Sequence, residues 1–213
     1  MTRSIAGSGR RYSGLEPEER KAARRRALTA AAIQLFGTQG YTSTTVKQIC
    51  QEADLTQRYF YESFKDREAC LTAVYEGVIA EVTGLTLAAI DDASQFEDMA
   101  LMGVTAFVHH FTADPLQAQI VMIEVVGVSP DLEKTRYKVL SDFADLVGTV
   151  WLQNVSNVDR RVAFTVAVGM VGAVNHLLVD WLLSGRKQDP AELIAVCVAL
   201  FEAARDRVST TSP

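Results

Sequence analysis

Four of the five prolines in this 213-residue chain stand one position after a residue able to cap a helix. They are Pro17 after Glu16, Pro115 after Asp114, Pro130 after Ser129 and Pro190 after Asp189. Proline at a first helical position gives up only an amide that lacks an intrahelical partner, so each pair marks a helix start. Thr45-x-x-Gln48, Ser94-x-x-Glu97 and Asp189-x-x-Glu192 add three capping boxes, in which cap and third residue satisfy each other's backbone donors. The β-branched run 120–128 continues the helical periodicity begun at Leu116 and has no partner strand, so it too is read as helix. The expected helices cover 17–37, 45–52, 56–63, 66–91, 95–112, 115–127, 130–154, 158–184 and 190–208. The fold class is therefore all-α, with an N-terminal helix-turn-helix domain and a larger C-terminal helical domain.

A chain that is 48% hydrophobic and 22% charged can bury a core without covalent help. Cys50, Cys70 and Cys197 are odd in number and far apart, which fits neither a disulfide framework nor zinc-ligand spacing. A reducing, cytoplasmic setting is expected. No apolar run follows Arg3, Arg10 and Arg11, so a secretory signal is not expected. Residues 162–183 form the most hydrophobic stretch. Asn175, His176 and Asp180 interrupt it, and its uninterrupted part, 163–174, is too short to span a bilayer. A helix apolar on nearly all sides is expected to be buried on two faces, with no membrane involved.

Charge is unevenly placed. Residues 1–75 carry 12 Lys/Arg against 8 Asp/Glu, and residues 76–213 carry 9 against 18, giving +4 and −9. A basic first third points to a polyanion at that end. The expected organisation is a flexible basic arm at 1–14, a helix-turn-helix domain at 15–75 and a remainder at 76–213.

Within the basic third, helices 45–52 and 56–63 are separated by Ala53-Asp54-Leu55 and preceded by a longer helix, the spacing of a helix-turn-helix. Leu28, Ala32, Leu35, Phe36, Val46, Ile49, Leu55, Phe60 and Phe64 make its small core. Asp54 occupies the turn position that needs a left-handed backbone. With Phe60 and Phe64 inward, Arg58 and Glu62 turn outward, and Gln57, Arg58 and Tyr59 form the first turn after the cap Thr56. Such a turn meets base edges in the major groove: Arg58 pairs with guanine, Gln57 with adenine, and Tyr59 packs on a thymine methyl or binds phosphate. Thr44, Thr45, Lys47, Tyr61, Lys65 and Arg67 complete the candidate DNA contacts, with helix starts at Thr45 and at Asp66 and Arg67 available to phosphates. Taken one by one, an exposed Arg58–Glu62 pair, packing tyrosines and a solvated Arg20–Arg26 face explain these residues equally well; their coincidence on one motif favours duplex DNA.

Gly40-Tyr41-x-x-Thr44-Thr45-Val46-x-x-Ile49, Ala53-x-Leu55-Thr56, Phe60-Tyr61-x-x-Phe64 and Arg67-Glu68 resemble the N-terminal signature of the tetracycline-repressor family. Arg25, Leu28, Ala31, Ala32, Leu35 and Phe36 fit its first helix, and the likeness spans about residues 20–75. Cys50, Asp54, Ser63 and Cys70 depart from the family pattern. The resemblance implies a homodimer that binds double-stranded operator DNA and responds to a small-molecule effector in its C-terminal domain, usually as a repressor. It places Thr45, Tyr61 and Arg67 at phosphates and Gln57, Arg58 and Tyr59 at bases.

In the acidic remainder, Phe107, His110, Phe111, Met122, Tyr137, Phe143 and Trp151 are candidate cavity residues, apolar with a few polar tips. Asn175 and His176 read as satisfied polar groups at a helix interface. Val168, Gly169, Gly172 and Ala173 allow a close helix contact with a second copy, and a two-fold dimer would present two recognition helices to a palindrome. No catalytic, metal or cofactor site is expected: His109 and His110 diverge on a helix, and no glycine-rich phosphate loop, HExxH or GxSxG occurs. The alternative is a helical small-molecule or acyl-chain binding protein, or an enzyme, with a vestigial helix-turn-helix.

Overall fold

The computed structural model describes residues 16–155 and 158–210; the expected basic arm lies outside them. Among the described residues the chain forms nine helices and no strand. They are α1 (Pro17–Gln39), α2 (Val46–Glu52), α3 (Gln57–Ser63), α4 (Arg67–Asp91), α5 (Phe96–Ala113), α6 (Pro115–Gln119), α7 (Pro130–Asn154), α8 (Arg160–Leu183) and α9 (Pro190–Thr210).

The proline starts are where the sequence puts them, at the heads of α1, α6, α7 and α9. Asp114 accepts the Leu116 and Gln117 amides at 3.1 and 3.3 Å, Ser129 the Leu132 amide at 3.2 Å, and Asp189 the Ala191 amide at 2.8 Å. Two local expectations fail. Gln95, not Ser94, precedes α5, and it makes no side-chain cap bond. The expected helix 115–127 is only partly α-helical. Regular α6 ends at Gln119, a five-residue π turn follows over Ile120–Glu124, and Gly127 at φ +73° turns the chain toward α7. The π turn lets Val121 and Met122 face inward while Glu124, two residues on, faces the small domain.

Leu28, Ala32, Phe36, Ile49, Phe60 and Phe64 are buried in the N-terminal domain, with Leu35, Val46 and Leu55 packed at its edge. Asp54 takes φ +52°, as its turn requires. In the larger domain α4 packs along α5, α7 along α8, and α9 against α5 and α8. α1 crosses α6 at Gly37, where a Cβ would lie 2.7 Å from Leu116 Cβ and 3.0 Å from its backbone. Only glycine permits that approach. α4 and α8 are each long and apolar enough to cross a bilayer. In this fold Val74, Val78 and Val82 of α4 and Ala163, Ala167 and Leu178 of α8 are buried in the core. The second face of α8, expected to be buried as well, is exposed in the single chain.

Candidate nucleic-acid interface and internal cavity

The capping box of α2 forms as read: the Thr45 amide donates to Gln48 Oε1 at 2.8 Å and the Gln48 amide to Thr45 Oγ1 at 3.3 Å. On α3, Phe60 and Phe64 anchor the helix and leave Gln57 and Arg58 in solvent, the Arg58 side chain 84% exposed. Arg58 Nε donates to Glu62 Oε1 at 2.9 Å, so the guanidinium is held by a neighbour on its own helix. Thr56, Tyr61, Lys47, Lys65 and Thr45 are exposed on the same domain.

Three expected contacts have other partners. Thr44 is fully buried; its hydroxyl donates to the Gly40 carbonyl at 2.8 Å and accepts from Gln39 Nε2 at 3.1 Å, so it shapes the turn before α2 rather than facing solvent. Arg67 stacks on Tyr41 with its guanidinium carbon 4.2 Å from the ring centroid, and donates to the carbonyls of Thr42 and Thr44. It ties the start of α4 to the start of α2. Tyr59 lies under Arg24 at 4.4 Å. Sequence reasoning missed what the arginine run does: Arg24 also approaches Glu62 at 4.0 Å, while Arg25 stacks on Phe64 at 4.3 Å and donates to the Ser63 carbonyl. The signal was present in Arg24 and Arg25 lying on adjacent helical positions, but their partners are 35 or more residues away. At the start of α4, Asp66 takes the Ala69 amide at 2.8 Å, which places a carboxylate where a phosphate was expected.

The larger domain holds a partly open cavity of about 130 Å³ bounded by α4, α5, α7, α8, α9 and the π turn. Phe107, Met122, Phe143 and Trp151 line it as expected, with Phe107 and Phe143 edge to face at 5.2 Å. The other three candidates lie elsewhere. Phe111 is sealed in the core, His110 Nε2 pairs with Gln117 Oε1 at 3.0 Å, and Tyr137 is 76% exposed on the outer face of α7. Asn175 departs from its expected role, since it lines the cavity, whereas His176 is exposed. Tyr75, Arg136 and Arg205 also reach the lining and were not foreseen. Burial pushes the Tyr75 hydroxyl up to about 12, with Arg136 opposing and Glu133 reinforcing the shift. Glu133 sits below its ordinary value because it accepts the Gly127 amide, at 2.7 Å, and pairs with Arg136 at 3.0 Å.

Two hydrogen bonds link the larger domain to the small one. Glu124 Oε2 accepts the Tyr41 amide at 2.7 Å, and Ser129 Oγ donates to Glu68 Oε1 at 2.5 Å, beside Arg67.

Residues 28–74, which hold all of α2 and α3, match the family described as bacterial regulatory proteins, tetR family. That match covers the N-terminal domain. No curated protein matches the chain in sequence. Solved structures resemble the chain in fold through the C-terminal domain as well. The fatty acid degradation regulator FadR of Bacillus halodurans superposes with a TM-score of 0.74 at 16% identity, over 85% of this chain and 94% of that one. FadR of Bacillus subtilis, solved in complex with stearoyl-CoA, gives 0.71 at 15% identity over 84% and 96%. A transcriptional regulator structure from Pseudomonas aeruginosa PAO1 gives 0.72 at 22% identity over 95% and 100%. At these identities the likeness is one of fold.

Proposed function

We propose that the chain is a tetR-family regulator, a cytoplasmic homodimeric repressor that leaves a palindromic operator when a small apolar or amphipathic effector occupies its C-terminal cavity. The observation that carries the reading is α3, a short helix clamped from behind by Phe60 and Phe64 that holds Gln57 and Arg58 out in solvent. Those side chains suit base edges, while Thr45, Lys47, Tyr61 and Lys65 suit phosphates. Arg67, Thr44 and Tyr59 act behind that surface by positioning it.

Release is supported by the link from the π turn to the small domain. Val121 and Met122 touch the cavity while Glu124, on the same turn, holds Tyr41, the residue on which Arg67 stacks. An effector that prefers a shifted π turn shifts the start of α2 with it, and a coupling of about 1–3 kcal/mol lowers operator affinity roughly 5- to 150-fold. The FadR structure of Bacillus subtilis holds stearoyl-CoA, an amphipathic ligand, and the largely apolar lining here supports an apolar or amphipathic effector.

The dimer is supported by the open face of α8. Val168 is 61% exposed, and among the described residues nothing beyond the helix's own backbone lies within 4 Å of a Cβ built on Gly169 or Gly172. Val196 and Leu200 of α9 are exposed as well.

Fluorescence anisotropy with duplexes from upstream of the protein's own gene tests the reading. Saturable binding at two subunits per site, weakening steeply with salt, is expected. Equal affinity for operator and scrambled duplex at every salt concentration would overturn it.

A further inference from the structure

The cavity's polar groups are few, and their pairing constrains what can enter. Arg136 is held by Glu133 at 3.0 Å, and Arg205 by Asp206 at 2.8 Å. Glu202 at the rim makes no ion pair among the described residues. An anion must therefore break an existing pair while facing Glu202, and a cation must approach two guanidinium groups; either is costly in a site otherwise apolar. Tyr75 differs from these groups. It is 2% exposed, its ring is fixed in α4, and its hydroxyl has no hydrogen-bond partner among the described residues. No described polar side-chain atom is both sealed and unpartnered, so the hydroxyl opens onto the void it lines. The Asn175 amide lines the same void and is likewise without a partner among the described residues.

Size gives a second constraint. A void of about 150 Å³ takes one benzene ring, and this one is about 130 Å³. It continues past Ile79, Val139, Phe143 and Leu146 into a groove of about 250 Å³ between α4 and α7, which leaves room for a substituent on a ring seated in the void.

Resting on the effector reading above, we infer that the cavity takes a compact, uncharged effector of about one ring, bearing an oxygen acceptor that receives a hydrogen bond from the Tyr75 hydroxyl. The hydroxyl is a donor throughout the neutral range, because burial opposes its ionisation. An acceptor there satisfies a polar group that otherwise sits undersatisfied in an apolar void, and the rest of the molecule packs on Phe107 and Phe143. The bond is made to α4, the helix whose first residue holds the Thr42 and Thr44 carbonyls.

Calorimetry on the full chain with four probes of similar size tests this: acetophenone, ethylbenzene, benzoate and benzylammonium. Acetophenone is expected to bind tightest. Tyr75→Phe, which keeps the ring, is expected to weaken acetophenone about 5- to 12-fold and leave ethylbenzene unchanged. Tightest binding by either ion, an acetophenone-to-ethylbenzene ratio unmoved by Tyr75→Phe, or binding of stearoyl-CoA with no binding of acetophenone would each overturn the inference. Operator anisotropy on the same samples without probe reports the regulator reading separately, so loss of one is distinguishable from loss of the other.

Discussion

The carboxylate of Glu124 accepts a hydrogen bond from the backbone amide of Tyr41 at 2.7 Å across 83 residues of sequence. Its other oxygen accepts from Gln119 Nε2 at 2.9 Å, so the carboxylate is fixed from its own side before it reaches the small domain. Gly40, at φ +86°, brings the backbone close: a Cβ there would lie 3.2 Å from Glu124 Oε2. The bond joins a turn that walls the cavity to the segment that positions α2.

Glu124→Ala removes this link and leaves a part-buried amide unpaired. It is expected to cost about 1–3 kcal/mol of stability and to lower the effector's influence on operator affinity more than operator affinity itself. Chemical denaturation and anisotropy with and without an effector measure the two effects. Unchanged coupling in a folded variant would remove Glu124 from the route.

Arg58→Ala is expected to cost about 1–3 kcal/mol at the operator and to relax preference at one base pair per half-site. Arg67→Ala should weaken all duplexes together and lower thermal stability, since it frees the Thr42 and Thr44 carbonyls and the Tyr41 face. Binding across a library of single-base operator variants checks both. A base-specific effect from Arg67→Ala would contradict its positioning role.

Gly37→Ala forces a methyl group against Leu116 and should destabilise the fold by about 1–3 kcal/mol. Gly172→Ala meets nothing within 4 Å among the described residues beyond its own helix backbone, and alanine suits a helix better than glycine by about 1 kcal/mol. Any loss of stability at Gly172 therefore reports a second copy. Val168→Asp is expected to split the dimer, read by sedimentation; a monomeric wild type at micromolar concentration would end the dimer proposal.

Stability should fall as the solution is made alkaline. Burial raises Cys70 from 9.0 to about 12 and Tyr75 from 10.0 to about 12. The unfolded chain ionises first, so the stability these neutral groups confer is complete below pH 9 and declines as pH rises toward 12. Each group contributes a slope of about 1.4 kcal/mol per pH unit while only its unfolded form is ionised. Denaturant midpoints between pH 8 and pH 11 check this, and Tyr75→Phe should flatten the decline above pH 10. A pH-independent midpoint across that range would show that neither group stays neutral in the folded chain.

What the sequence determined by itself was local. Proline at a first helical position, a Thr45–Gln48 box and an aspartate able to adopt φ +52° at Asp54 act within about four residues, and each fixes structure wherever the rest of the chain goes. The helix-turn-helix core was legible for the same reason, because α1, α2 and α3 follow one another closely and their apolar faces meet at short range. Tertiary structure decided the rest. Phe107, Phe111 and Tyr137 are all aromatic residues on helices, yet one lines the void, one is sealed and one faces solvent, because the neighbouring helices determine which side each presents. Arg67 and Arg58 are equally basic in sequence, and only the position of Tyr41 and the Thr42–Thr44 carbonyls makes one a brace and leaves the other extended toward solvent. Periodicity records which residues share a helix face but carries no information about what is packed against that face.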